Sequence, residues 1–139
     1  MARYLADWSA LSRAPRHPEV RAALEPLWLR GDIATCGLVQ LEHLYSTRGY
    51  NELLVTRQRM DRVYPTVPTT QADFDRALEL MMELARRNRH RAVNIVDLVI
   101  AAVAERAGLI VLHYDADYEH IAQVTGQATE WVVPRGSVS

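Results

Sequence analysis

The sequence contains no lysine, and all 16 of its basic side chains other than histidine are arginines. Chemistry that needs an ε-amine is therefore excluded. A single cysteine, Cys36, leaves no partner for an intrachain disulfide and too few thiolates for a cysteine-based metal site. The formal net charge is −1, so no global basic field advertises nucleic-acid binding. No apolar run reaches the roughly 18 residues of a membrane span. Asp7 interrupts the segment that a signal-peptide core would occupy, and a cytoplasmic location is expected. There is no internal repeat and no low-complexity segment. What remains is ordinary for one soluble domain: 139 residues, 49% of them hydrophobic and 24% charged, are enough to build one sizeable core.

The stretch from Asn94 to Tyr118 organises the chain. Val93, Val96, Ile100, Val103 and Ala107 recur at helical spacing, so a helix is predicted over Asn94–Ala107, with Gly108 just past its end. Leu109–Leu112 is a short β-branched run suited to a buried strand, and it leads into Asp115-Ala-Asp117. A helix feeding a buried strand that ends in acids is half of an α/β unit, and such folds bind ligands at the carboxyl ends of their strands. Asp97 is anomalous there, because it projects onto the apolar face, where a carboxylate is costly unless paired. Two readings stand. Asp97 completes a capping box with Asn94 as N-cap, or it belongs to a site.

Earlier in the chain, Arg3–Ala6 is a strand candidate running into Asp7-Trp8-Ser9. Asp7 or Ser9 can cap the turn Ala10–Arg13, and Asp7 can also be the first acid of a site. Glu19–Arg30 reads as an amphipathic helix with Trp28 as core or interface filler. Ile33–Thr35 reads as a second strand, and Cys36–Thr47 as a helix with Leu38, Leu41, Leu44 and Tyr45 inward. Glu42 lies at the edge of that apolar face, either solvated or turned toward Asp7. A further helix is expected within Arg48–Arg62, with Leu53, Leu54 and Met60 available to a core or a partner, and an extended segment over Val63–Val67. The next helix starts at a Thr69 or Thr70 cap and runs to about Arg89. Its apolar stripe is Phe74, Ala77, Leu78, Met81, Met82 and Ala85. Arg86, Arg87, Arg89 and Arg91 cluster at its end with His90. They either satisfy the helix C-terminus or contact phosphates. A short helix over Tyr118–Val124 and an edge strand over Glu130–Val133 complete the pattern. The alternation of strands and helices predicts an α/β fold with a parallel sheet flanked by helices.

Asp7, Glu42, Asp97, Asp115 and Asp117 are scattered in sequence, but an α/β fold gathers such positions. Carboxylates sharing a small volume cannot all stay ionised without compensation, and a divalent cation resolves the conflict. All-oxygen ligands favour Mg²⁺ or Mn²⁺ over zinc. Such a site can activate a water and stabilise the leaving oxygen of a phosphodiester.

Four segments in order carry a resemblance: Tyr4-Leu-Ala-Asp-Trp-Ser-Ala10, Leu38-Val-Gln-Leu-Glu-His-Leu44, Asn94-Ile-Val-Asp-Leu-Val-Ile-Ala-Ala102 and Leu112-His-Tyr-Asp-Ala-Asp-Tyr118, followed by Trp131-Val-Val-Pro134. Over essentially its whole length the chain resembles PIN-domain proteins, specifically the VapC-type ribonuclease toxins of prokaryotic toxin–antitoxin pairs. The resemblance implies a PIN-like α/β/α sandwich, with a central, mainly parallel sheet of four to five short strands. It implies a single domain over residues 1–134 and a tail over 135–139. Asp7, Glu42, Asp97 and Asp115 would form the catalytic, metal-binding quartet, with Asp117 as a further metal ligand or a supporting acid. Ser9 would orient Asp7 or a water. The resemblance also implies Mg²⁺- or Mn²⁺-dependent endonucleolytic cleavage of RNA, a cognate VapB-type antitoxin whose C-terminal segment fills the active-site groove, and a homodimer. The sequence departs from the pattern at Trp8, where a smaller or polar residue often sits, and at Tyr118, where Phe is usual.

The rivals are few. A phosphoacceptor receiver domain and a haloacid-dehalogenase-like phosphatase both need a lysine that the chain lacks, and the latter places its Asp-x-Asp after the first strand. A PIN fold kept only as an inactive binding module would lack a ligand, whereas all the acids are present.

Overall fold

A computed structural model describes residues 1–139. Strand β1 (Tyr4–Ala6) leads through Asp7 into the short helix α1 (Trp8–Leu11), and Pro18 opens helix α2 (Pro18–Arg30). Gly31, in the left-handed conformation at φ 67°, closes α2 and turns the chain into β2 (Ile33–Cys36). Helices α3 (Gly37–Tyr45) and α4 (Tyr50–Val63) follow, then β3 (Thr66–Val67), α5 (Gln71–Arg86), α6 (Ile95–Ala107), β4 (Ile110–His113), α7 (Asp117–Thr125) and β5 (Thr129–Trp131).

The five strands form one sheet in the order β3-β2-β1-β4-β5, and every pairing is parallel. Helices cover it as the alternation predicted, and β5 lies at an edge. The chain moves outward from β1 through β2 to β3, then crosses back to place β4 on the other side of β1. The carboxyl ends of β1 and β4 therefore flank the point where the winding reverses, which is where open α/β sheets bind ligands. In register, Ala6 faces Leu112, so Asp7 leaves β1 beside the end of β4.

Helix α6 is the centre of the core. Every residue from Asp97 to Ala104 is buried. A helix that is apolar nearly all round must be covered on all sides, and α6 packs against α5, α7, α3 and β4. Gly108, at φ 70°, is its C-cap, as the spacing predicted.

Two helix faces differ from expectation. In α5 the buried stripe is Asp73, Ala77, Leu80 and Leu84, whereas Phe74, Leu78 and Met82 are exposed. The reason is electrostatic. Thr70 and Asp73 form a capping box, and Asp73 is drawn inward by Arg106 of α6, whose Nε lies 2.8 Å from Oδ1. That pairing holds the Asp73 carboxyl below the usual range and sets the helix phase. In α3, Val39 is buried while Leu41 and Tyr45 face solvent. Of the α4 residues open to a core or a partner, Met60 is buried and Leu54 is exposed. Helix α5 also ends earlier than predicted, at Arg86.

Candidate active site

Asp97 is 6% exposed in the first turn of α6. The side chain of Asn94 caps that helix by accepting from the Val96 amide at 2.9 Å. In a capping box Asp97 would reach back to the Asn94 amide, but that amide donates to Asp117 Oδ2 at 2.9 Å instead. Asp117 thereby takes over the partner that Asp97 would have had, and Asp97 is left facing the site.

Asp7 fills both roles open to it. Its Oδ2 accepts from the Ser9 amide at 3.0 Å as the N-cap of α1, and its Oδ1 accepts from the Tyr118 hydroxyl at 2.9 Å. The same hydroxyl lies 3.2 Å from Asp97 Oδ1, so one fully buried phenol joins the two acids. Burial, then Asp7 and Asp97, push the Tyr118 pKa well above its ordinary value, so it remains a protonated donor. After β4, Asp115 Oδ1 accepts from the Asp117 amide at 2.9 Å, and the Asp115 amide donates to His113 Nδ1 at 3.1 Å. Ligand oxygens of Asp97, Asp115 and Asp117 all lie within 4.8 Å of one another. Glu42 reaches in from α3; its Oε1 is buried with no hydrogen-bond partner.

The electrostatics follow from this crowding. Burial, a hydrogen bond with Asp117, and the charges of Asp7 and Asp115 raise the Asp97 pKa to about 9. Glu42 is pushed up by burial and then by Asp7 and Asp115, and Asp115 is pushed up chiefly by burial. No arginine forms an ion pair with any of these acids: the salt bridges of the molecule all lie elsewhere. Unopposed carboxylates with raised pKa values, together with an unpartnered buried oxygen, fit a hard divalent cation.

Ser9 joins α1 to the loop after β4, since its Oγ accepts from the Tyr114 amide at 2.9 Å. Ser9→Ala would orphan that half-buried amide and is expected to lower stability by about 1 kcal/mol, seen as a lower urea midpoint at unchanged slope. The arginine run lies outside the acid cluster. Arg86 pairs with Glu83, Arg89 approaches His120 Nδ1 at 3.5 Å, and Arg87 and Arg91 are exposed without an ion pair. Asn88, at φ 57°, turns the chain in the middle of the run.

Two contributors were not anticipated from sequence. The Tyr118 hydroxyl shows there only as a tyrosine where a phenylalanine is expected. His113 is fully buried and tilted against the Tyr118 and Trp131 rings, with centroids 5.0 and 4.9 Å away. Burial lowers its pKa to about 4, so a neutral ring accepts the Asp115 amide and holds the loop in place.

Residues 4–124 match the PIN domain family. The chain belongs to the PIN-domain family. Within it, this PIN domain is 45% identical over 137 residues to Ribonuclease VapC21 of Mycobacterium tuberculosis, covering 97% of each chain. It is 42% identical over 139 residues to Ribonuclease VapC51 of the same organism, covering 98% of this chain and 97% of the relative. It therefore stands among the VapC ribonucleases. Its fold matches that of a DNA-bound VapBC structure from Salmonella typhimurium, with a TM-score of 0.76 at 16% identity over 96% of this chain and 100% of the other. A member of the VapBC family of toxin–antitoxin systems, VapBC-5 from Mycobacterium tuberculosis, aligns with a TM-score of 0.61 at 24% identity over 94% and 98% of the two chains.

Proposed function

We propose that this PIN domain is the endoribonuclease toxin of a toxin–antitoxin pair, cleaving RNA with a divalent cation and restrained by a cognate VapB-type antitoxin. The observation that carries the reading is the cluster of Asp7, Glu42, Asp97, Asp115 and Asp117, buried or half-buried at the winding reversal with no arginine paired to any of them. Mg²⁺ or Mn²⁺ held there would supply activation of a water and charge compensation at the leaving oxygen. Asp7, Asp97, Asp115 and Asp117 are the residues that would hold it. Glu42, with a free Oε1 and a raised pKa, would take the attacking water's proton as the new phosphorus–oxygen bond forms and the ester bond breaks. Asp117 fastens the start of α6 to the loop after β4, so the acids contributed by the two elements keep their spacing.

Tyr118 keeps Asp7 and Asp97 at fixed separation, and groups that orient ligands typically matter by about 10–100-fold in metal affinity. Tyr118→Phe retains the buried ring and is expected to weaken Mn²⁺ binding about tenfold, measured by titration calorimetry. Unchanged affinity would remove Tyr118 from the site. Arg86, Arg87, Arg89 and Arg91 form an exposed basic run suited to RNA phosphates away from the acids. Exposed Leu41, Tyr45 and Ile95, and the Phe74, Leu78 and Met82 stripe, offer apolar surface for a second copy or the antitoxin. No helix is long and apolar enough to cross a membrane. The test is incubation of antitoxin-free protein with total RNA in Mg²⁺, in Mn²⁺ and in EDTA. Discrete fragments are expected with either cation and none with EDTA; cleavage that persists in EDTA would overturn the metal-dependent reading.

A further inference from the structure

A groove of about 830 Å³, lined by none of the clustered acids, has an aromatic wall. That wall is Trp8 and His43, the residues that follow Asp7 and Glu42 in the chain. Their rings stack, with centroids 4.1 Å apart and planes 24° from parallel. Trp8 also lines a smaller recess that contains Glu42, so the indole borders both the groove and one of the acids. Arg30, Arg59 and Arg62 line the groove and no carboxylate does. Arg30 is engaged by Asp32, whereas Arg59 and Arg62 are exposed and form no ion pair.

An aromatic platform with unpaired guanidinium groups beside it is the combination that single-stranded nucleic acid recognises: a base stacks and its phosphate is held. The volume falls in the range of small-molecule pockets, roughly 300–1,000 Å³. Trp8 follows Asp7 and His43 follows Glu42 in the chain, so the aromatic wall of the groove begins one residue from two of the clustered acids. We infer that this groove is the subsite for an unpaired nucleotide of the RNA substrate flanking the cleaved phosphodiester, with the stacked Trp8–His43 pair as the aromatic platform and Arg59 and Arg62 as phosphate contacts. The inference rests on the ribonuclease reading above. It explains a departure from the family pattern, because a large aromatic residue at position 8 supplies a wall that a small residue could not. Stacking tolerates any base, so the subsite selects for an unpaired nucleotide more than for a particular sequence.

The test uses antitoxin-free protein carrying Asp97→Asn to block cleavage, in Mg²⁺, with a fluorescein-labelled polyuridine oligonucleotide read by anisotropy. Trp8→Leu in that background is expected to weaken binding about tenfold, and Trp8→Phe to recover most of it. Arg59→Gln with Arg62→Gln is expected to lower affinity and to reduce the slope of log affinity against log salt by about 1.4, from roughly 0.7 per phosphate contact on a single strand. Both arginines are exposed, so this pair reports on the groove even if Trp8→Leu fails to fold. Unchanged affinity and salt slope in the arginine pair, or in a Trp8→Leu protein with an unaltered melt, would overturn the inference and assign the groove to an apolar protein segment. Total RNA left intact by the unmodified protein in Mg²⁺ and in Mn²⁺ would instead undermine the ribonuclease reading, so the two failures are distinguishable.

Discussion

Asp97→Asn is expected to abolish RNA cleavage while leaving the cation-free fold intact. With its pKa raised to about 9, the Asp97 carboxyl carries a proton at neutral pH when no cation is present. Asparagine is nearly isosteric with that neutral acid, and its amide can keep both the Tyr118 hydroxyl and the Asp117 carboxylate as partners. The folded state therefore loses little. A cation needs the ionised form, which asparagine cannot provide, so the rate should fall at least about 1,000-fold, or about 4 kcal/mol of transition-state stabilisation. Asp73 is the control. It is as deeply buried, at 1% exposure, but Arg106 holds its pKa down. Asp73→Asn should lose stability and keep cleavage, the opposite pattern. Urea midpoints and cleavage rates for the two variants decide the matter. Wild-type cleavage by Asp97→Asn, or unfolding of that variant in the manner of Asp73→Asn, would sink the assignment.

The same pair shows what a sequence can and cannot reveal. Asn94/Asp97 and Thr70/Asp73 have the same local spacing before an apolar helix, and that spacing allows a capping box at either place. One is a capping box and the other is not. The difference comes from Asp117, which takes the Asn94 amide from 23 residues further along the chain. No local pattern carries that information. Strand ends and the acids just after them were legible, because parallel sheets place such positions on one edge whatever the details of packing. The phase of α5 was not, because apolar residues lie on two adjacent strips and a buried Asp73–Arg106 pair chooses between them. Trp8 shows in the sequence only as a departure from the family pattern and His43 only as part of a motif, and the pairing of β1 with β2 brings the helices that follow, α1 and α3, close enough for the rings to stack. The Tyr118 hydroxyl was invisible as a function, since one oxygen on an otherwise apolar ring leaves hydrophobic periodicity unchanged.

Without a cation the protein should lose stability as the pH rises from 7 to 9, and millimolar Mg²⁺ or Mn²⁺ should restore it. Asp97 has a folded pKa of about 9 against 3.8 unfolded, so between those values the folded state binds the additional proton and each rise in pH favours unfolding. The limiting slope for one such group is about 1.4 kcal/mol per pH unit, or about 2 kcal/mol from pH 7 to 9. Glu42 and Asp115 are shifted in the same direction. The histidines work the other way at lower pH. His113, held at about 4 by burial, and His43, also lowered by burial, leave the unfolded chain the better proton acceptor below their ordinary value of 6.5, so acid destabilises there. Above pH 7 that opposition has ended, and only as the pH nears 9 does the buried Cys36 thiol, pushed up by burial, add a loss in the same direction as the carboxyl groups. A bound cation stabilises the ionised acids in the folded state. At a concentration 100 times its dissociation constant it would contribute about 2.7 kcal/mol, so the curve should flatten and rise. Urea midpoints at pH 7, 8 and 9, in EDTA and with each cation, measure both effects. Asp97→Asn supplies the internal check, because removing the raised acid should flatten the EDTA curve without any cation. A slope that survives in Asp97→Asn would place the titrating group elsewhere, and a pH 9 midpoint indifferent to both cations would count against a metal site among these carboxylates.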